Sequence, residues 1–238
     1  MFTFAQLKKL ESETLNAIRT QGPFGHLNSL SSAAHQAQIV PHGKVPIDVN
    51  LGFTLPTRLR EDSGTEVIHR TFHVGCNAVA SLQDDGVSQL SYSVLIGRDA
   101  HPNRDVARKF HFDFEPALSR NQSEPKPTFH LQMCGKLSPH HHADGYSDEH
   151  IEHLLPAWSQ PRIPTQPTSL VLVLNWLFIE FGHEQSVRDA RLNPRWRSLV
   201  REAERAILKP YYEACFTFFS AAAHEEDSFY SRHIYEES

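Results

Sequence analysis

Hydrophobic and polar positions recur at helical spacing near the start of the chain. Over residues 3 to 20, apolar residues such as Leu7 and Leu10 lie three or four positions apart, with lysine and glutamate between them. This spacing predicts a helix with one buried face. A similar pattern over residues 27 to 40, followed by Pro41, predicts a second helix.

From residue 45 onward the hydrophobic positions alternate with polar ones, which is typical of half-buried strands. Six segments contain this alternation: residues 45 to 49, 67 to 74, 77 to 83, 87 to 96, 109 to 115 and 128 to 134. Between the third and the fourth, Asp84-Asp85-Gly86 predicts a hairpin turn, because glycine tolerates the positive φ that such turns need. Short links between strands favour an antiparallel sheet of five or six strands.

The last hundred residues contain a polar stretch and then further helical patterns. Residues 135 to 168 are rich in His and Pro and predict a long loop with one short helix at 148 to 155. Residues 170 to 181 are apolar nearly all round, which predicts a central buried helix, although the first five could instead form a strand. Pro194 is suited to open the last helix, and Pro210 is expected to bend it.

These patterns predict a single α+β domain that includes all 238 residues. Its hydrophobic content of 39% is ordinary for a globular protein, so disorder of the whole chain is not expected. The predicted parts are N-terminal helices (1–43), an antiparallel sheet (45–134), a His/Pro-rich loop (135–168), C-terminal helices (169–223) and an acidic tail (224–238).

Cysteine usage and the apolar runs predict a cytoplasmic protein. Cys76, Cys134 and Cys215 are far apart and form no CxxC pair, which argues against a disulfide framework and a thiolate zinc site. The first residues carry charge where a signal peptide would be apolar. The longest apolar run is shorter than the roughly 20 residues that span a bilayer, so no membrane association is expected.

The charge is distributed unevenly along the chain. The net charge of −5 lacks the basic signature of a typical nucleic-acid binder. Residues 188 to 209, however, contain seven Lys or Arg against three Asp or Glu, and the end of the chain is acidic. This combination indicates self-association or a guarded anion site, and the alternative is two ordinary solvated surfaces.

Two of the predicted strands carry a pattern that could support catalysis. Lys109 to Glu115 reads KFHFDFE, and Thr128 to Cys134 reads TFHLQMC. Because alternate side chains of a strand share a face, the phenylalanines fall on one side and the polar residues on the other. If the apolar faces align, one polar patch contains His111, Asp113, Glu115, His130 and Gln132.

Such a patch predicts two kinds of chemistry. Imidazole and carboxylate groups can bind a divalent metal that activates water. Without a metal, His111 or His130 could act as a general base tuned by Asp113 or Glu115. Either arrangement suits attack on RNA or another phosphodiester. The alternative is an ordinary solvent-facing side of a two-layer sheet, because alternation alone produces this pattern.

The loop after the strands contains a second polar cluster. Its members are His140, His141, His142, Asp144, His150 and His153. They could bind zinc, although no sharp ligand spacing is present, and a solvated loop is the alternative. If this loop folds back over the sheet, Arg120 and Arg162 could clamp a phosphate beside Gln132.

Three stretches give the chain a resemblance to a known family. They are Phe110-His111-Phe112-Asp113, Pro139-His140-His141-His142, and the link from Pro164 to Leu170. Their order resembles that of the TumE-like toxin proteins of bacterial toxin–antitoxin pairs. The resemblance covers about a third of the chain. It implies a bacterial origin, a place in a toxin–antitoxin or phage-defence operon, and ribonuclease activity.

Two functions therefore follow from the sequence. The first is an enzyme acting on RNA or another phosphodiester, in which the basic helix holds the phosphate backbone. The second is a non-enzymatic subunit whose C-terminal helix, ending in Phe216, Phe218 and Phe219, binds a cognate protein partner or a second copy.

Overall fold

The structure is a computed structural model of the full chain. It describes residues 3–20, 24–25, 27–37, 47–61, 64–81, 86–97, 105–114, 129–133, 137, 142–143, 145–147, 149, 162–182 and 184–220. Within these ranges the strands are β1 (Ile47–Glu61), β2 (Gly64–Ala80), β3 (Val87–Gly97), β4 (Val106–Phe114), β5 (Phe129–Met133) and β6 (Arg162–Pro164). The helices are α1 (Phe4–Arg19), α2 (Asn28–Gln36), α3 (Leu170–Glu180), α4 (Gln185–Leu192), α5 (Pro194–Ala203) and α6 (Lys209–Ser220), with a π-helical turn at Glu204–Leu208.

The N-terminal helices form where the sequence predicts them. Thr3 and Gln6 make a capping box at the start of α1, each side chain accepting a hydrogen bond from the backbone of the other residue. The apolar positions of α1, including Leu7 and Leu10, are buried. α2 ends at Gln36. Residues 38 to 40, the last ones predicted for this helix, lie outside the described part of the chain.

The sheet is antiparallel throughout, with its six described strands in sequence order. This confirms the predicted α+β fold with an antiparallel sheet. The prediction of separate strands at 67–74 and 77–83 is wrong for the described residues, because both belong to β2. Val74, Cys76 and Ala78 are all buried, so the alternation continues in phase and nothing interrupts the strand.

The predicted hairpin turn itself falls partly on residues 82 to 85, which lie outside the described residues. The strands on either side pair as a hairpin requires, and the Ser81 N–H donates to the Gly86 carbonyl over 2.9 Å.

One face of the sheet packs against the helices and forms the core. Its fully buried strand residues include Val49, Leu51, Phe53, Phe72, Val74, Tyr92 and Phe114. From the helical side, Trp176 of α3 contacts Phe110 and Phe112 edge-on, with centroid distances of 5.6 Å. Most of α3 is buried, as its nearly uniform apolar sequence predicts.

The C-terminal region is more segmented than the two predicted helices. α4 is a separate short helix that sequence periodicity did not reveal, and Pro194 opens α5 as expected. Directly before Pro210, the Lys209 N–H bonds to the Glu204 carbonyl five residues back. This wider turn accommodates a proline that lacks an N–H and would crowd a regular helix.

A short strand lies within the region predicted to be a loop. β6 pairs with β5, with Ile163 opposite Leu131 and Arg162 opposite Gln132. The assignment of residues 162 to 164 to a loop is therefore wrong. A segment of three residues is too short for alternation to indicate a strand. The predicted short helix at 148–155 and the acidic tail at 224–238 lie outside the described residues, except for Glu149.

No helix in the described part of the chain is long and apolar enough to cross a membrane.

Candidate functional site on the polar face of the sheet

The sheet face opposite the helices is lined by polar side chains on neighbouring strands. Strand register places together the residues that we call the polar face: Asp48, Asn50, His73, Asn77, Ser91, Ser93, Lys109, His111, Asp113, His130 and Gln132. His111 lies directly opposite Gln132, and Asp113 lies directly opposite His130. The predicted pairing of KFHFDFE with TFHLQMC, with imidazoles and acid on one side, is therefore confirmed.

Asp113 is the centre of an interaction that crosses three strands. Ser91 of β3 donates a hydrogen bond from Oγ to Asp113 Oδ1 over 2.5 Å. On the other side, Asp113 Oδ2 lies 3.7 Å from Nε2 of His130 on β5, a separation that makes an ion pair when the imidazole is protonated. The three groups are adjacent because antiparallel register brings their Cα atoms side by side.

The two histidines of the polar face differ in their accessibility. His130 is only 1% exposed, whereas His111, next to Ser93 and Gln132, is half-buried. Burial strengthens the electrostatic interaction between Asp113 and a protonated His130, since the surrounding dielectric constant is lower than that of water. His111 is therefore the more exposed of the two side chains, although its Nε2 is itself shielded from water, and His130 is the more deeply buried one.

Part of the His-rich loop packs against one end of the polar face. The ring of Tyr146 contacts that of His73 edge-on at 5.2 Å, and the Val106 N–H donates to the Ser147 carbonyl over 2.8 Å. Leu137 from the same loop packs on Leu95. The described residues of this loop therefore pack at one end of the sheet, which is the condition under which the sequence would join the two polar clusters.

The predicted site residues are only partly within the described ranges. Glu115, Arg120, His140, His141, Asp144, His150 and His153 lie outside the described residues. His142 is described, and its Nδ1 lies 3.1 Å from the Tyr146 carbonyl oxygen. The backbone of Arg162 is opposite Gln132, which puts this predicted phosphate ligand on the strand next to the polar face.

The predicted divalent metal finds no complete ligand set within the part of the chain that the structure describes. There, no group of three or more His, Cys, Asp or Glu residues could hold a metal ion. The free cysteines among these residues are Cys76 and Cys215, and Cys76 lies on the core side of the sheet, where burial raises the pKa of its thiol well above the usual value.

Sequence reasoning missed Ser91, although a signal was present. In Val87–Gly97 the hydroxyls of Ser91 and Ser93 alternate with the buried Tyr92 and Val94, so both belong to the polar side. That alternation could have added Ser91 to the candidate site. Its specific contact with Asp113 depends on the register between β3 and β4, which the sequence does not show.

The basic segment predicted near the C terminus is not part of the polar face. Four of its arginines line a cleft in the helical layer, beside Asn175 of α3. Since α3 packs on the phenylalanine side of the sheet through Trp176, the sheet lies between this cleft and Asp113. The expectation that the basic helix directly holds a substrate of the polar face is therefore not met.

The chain has no recognised relative in the comparisons with known proteins: no protein-family model, no curated protein and no solved structure matches it.

Proposed function

We propose that this chain is a phosphodiesterase acting on RNA, with His111 and the Asp113–His130 pair as its working groups. The observation that carries the proposal is the Ser91–Asp113–His130 arrangement, because a carboxylate held on both sides is a well-placed electrostatic partner for an imidazole. The resemblance to TumE-like toxins supports the same activity and suggests a role in a bacterial toxin–antitoxin or phage-defence system.

The proposed roles follow from accessibility. His111 is half-buried and its Nε2 is shielded from water, so its Nδ1 is assigned to take the proton from the attacking 2′-hydroxyl of the RNA. As the new P–O bond forms, the bond from phosphorus to the 5′ oxygen breaks, and the departing oxygen takes a proton from water. His130 is buried and pairs with Asp113. This pair is assigned to fix the local charge and the placement of groups beside His111. Gln132, opposite His111, offers an amide that can donate a hydrogen bond to a phosphate oxygen. Activation by a divalent metal stays a prediction, and no step of this proposal requires it.

Loss of the working groups should abolish most of the activity. We expect His111→Ala combined with Asp113→Ala to lower the rate of RNA cleavage by about a hundredfold, the lower end of what general acid–base catalysis contributes. The measurement is cleavage of a fluorescent RNA over a range of pH, with and without magnesium or manganese. The single variant Asp113→Asn should retain some activity, because its amide oxygen can still accept the hydrogen bond from Ser91 although the negative charge beside His130 is lost.

A matched control removes an imidazole and a carboxylate away from the polar face. His35 lies on α2, and Glu180 is an exposed residue of α3. The variant with His35→Ala and Glu180→Ala should cleave RNA at the wild-type rate, and circular dichroism should show that both double variants are folded. An equal loss in this control, or no cleavage of any RNA by the wild type, would rule out the proposal.

A second candidate function, a non-enzymatic subunit, is favoured by the surface of α6. Phe216 is 74% exposed and Tyr212 is 53% exposed, and none of the described side chains of this helix is fully buried. Large aromatic side chains seldom remain so exposed on a helix without a partner. The simplest partner is a second copy of the chain through this helix.

Self-association through α6 has a direct test. Light scattering on the wild type should give about twice the chain mass of 27.1 kDa, and Phe216→Asp should reduce it to the mass of one chain. Leu192→Asp is the matched control, since Leu192 is 64% exposed on α4. A wild type that is monomeric at all concentrations would remove the support for this second function.

A further inference from the structure

The helical layer contains a cleft with a concentration of arginines. It has a volume of about 530 Å³ and is lined by Arg188 and Arg191 of α4 and by Arg197 and Arg201 of α5. Glu204 is the single carboxylate among the described lining residues. The cleft therefore has an excess of positive charge in a protein whose net charge is −5.

The cleft is built on a rigid part of the core. Trp196 is fully buried, and its indole Nε1 donates to Asn175 Oδ1 over 3.1 Å, which joins α5 to α3 beneath the arginines. The same ring packs against Phe24 and Phe178, with centroid distances of 4.9 and 5.6 Å. Positions on such packed helices are preorganised, so binding there loses little conformational entropy.

The two acids of the same segment that do not line the cleft have other partners. Asp189 accepts a hydrogen bond from Gln185 Nε2 over 2.7 Å, and Glu202 lies 3.3 Å from Nζ of Lys9. Over the described residues, none of the four guanidinium groups forms an ion pair with a carboxylate.

Two of these guanidinium groups differ in the hydrogen bonding of their Nε atoms. The Nε of Arg201 donates to the Arg197 carbonyl over 3.3 Å. The Nε of Arg191 is shielded from water and, among the described residues, has no hydrogen-bond partner. A buried donor without an acceptor is costly, so a ligand that supplies an acceptor there would stabilise the protein.

We propose that this cleft binds a ligand that carries at least two phosphate groups. The planar guanidinium presents paired N–H donors that match phosphate oxygens, and all four cations of the cleft are arginines. Its volume falls in the range of about 300–1,000 Å³ typical of small-ligand pockets. The site is separated from the polar face by the sheet, so it does not depend on the proposed ribonuclease activity. The ligand can be a small polyphosphate or a segment of an RNA backbone, which share this chemistry.

The test measures binding without cleavage. The protein carries His111→Ala and Asp113→Ala, so that a short fluorescent oligouridylate stays intact, and inorganic tripolyphosphate is the second probe. Arg188→Gln with Arg197→Gln should weaken binding of the probe by about tenfold or more, because two charge-assisted contacts are lost. For the oligouridylate, the salt dependence should become shallower by about 0.7 for each phosphate contact removed.

The matched control removes the same charge outside the cleft. Neither Arg195 nor Lys209 lines the cleft. Arg195 donates to Thr20 Oγ1 over 2.7 Å, and Lys209 pairs with Glu213 at 3.6 Å. Arg195→Gln with Lys209→Gln should change the affinity by less than about twofold. If the cleft variant folds poorly, hydrogen exchange is measured instead on the protein with an unsubstituted cleft. Binding of either probe should then slow the exchange of backbone amides in residues 188 to 201.

Each outcome decides the proposal. Binding of both probes that is lost only in the cleft variant supports it and identifies a small polyphosphate as sufficient. Binding of the oligouridylate alone, lost in the same variant, supports it with an RNA strand as the ligand. No binding of either probe, or equal weakening in the control variant, overturns it.

Discussion

Replacing Trp196 by alanine should lower the free energy of unfolding by about 4 kcal/mol, the middle of the range for large aromatic truncations in a core. The side chain is fully buried between Phe24 and Phe178, and its indole N–H is bonded to Asn175. Truncation leaves a cavity between α3, α5 and Phe24, and it leaves the side-chain oxygen of Asn175 without its donor. Urea unfolding followed by circular dichroism measures the change.

Two comparison variants separate the causes of this loss. Trp196→Phe keeps most of the aromatic packing and loses the hydrogen bond, so it should cost about 1–2 kcal/mol. Leu192→Ala truncates an apolar residue that is 64% exposed and should change stability by less than about 0.5 kcal/mol. A loss for Trp196→Ala no greater than that for Leu192→Ala would contradict the central place of this side chain in the core.

The second large effect concerns a glutamate buried in the core. Glu11 of α1 is fully buried, and its Oε1 accepts hydrogen bonds from the Tyr92 hydroxyl over 2.6 Å and from the Leu170 N–H over 3.1 Å. Burial raises the pKa of this carboxyl from 4.5 to about 7, and the two hydrogen bonds only partly oppose it. The titratable groups beside it are Tyr92 and Cys76, and burial raises the pKa of both.

This raised pKa makes stability depend on pH. Between 4.5 and about 7 the folded protein binds a proton that the unfolded chain has lost, so stability falls as the pH rises through this window. Since one unit of pKa difference corresponds to about 1.4 kcal/mol, the total loss is about 3 kcal/mol. Glu11→Gln removes the titration, and its amide oxygen can still accept both hydrogen bonds.

The measurement compares stability curves rather than single values. Unfolding free energies of wild type and Glu11→Gln are determined at several pH values between about 4 and about 8, and their difference should change by about 3 kcal/mol in favour of the variant at high pH. Glu13→Gln on the same helix, at a partly exposed position paired with Lys9, should give a difference constant within about 0.5 kcal/mol. Parallel curves for wild type and Glu11→Gln would show that this carboxyl does not titrate in the window.

The arrangement of the candidate site was partly predictable from the sequence. Alternation in KFHFDFE and TFHLQMC assigns His111, Asp113, His130 and Gln132 to one side, because the pleat repeats every two residues. Their pairing as neighbours follows from matching the phenylalanine faces. The different burial of His111 and His130 was not predictable, because it depends on what lies above the sheet rather than on the strand itself.

The arginine cleft and the burial of Glu11 were not predictable from the sequence. The sequence shows the arginines of residues 188 to 209 but does not show what they contact. In the fold, the neighbouring acids Asp189 and Glu202 contact Gln185 and Lys9 instead of these arginines. Glu11 looks like a solvent-facing member of an amphipathic helix, and only the packing of α1 against Tyr92 and the start of α3 buries it.

By itself, the sequence determined the α+β class, the helix at the start of the chain, the buried α3 and the two sides of the strands. These depend on periodicity and local chemistry, which operate over a few residues. The tertiary structure alone decided that 67–83 is largely one strand, that β6 exists, that Ser91 binds Asp113 and that the arginines lie on the far side of the sheet. Those features arise from contacts between segments distant in sequence, whose free energy is spread over many residues and leaves no local pattern.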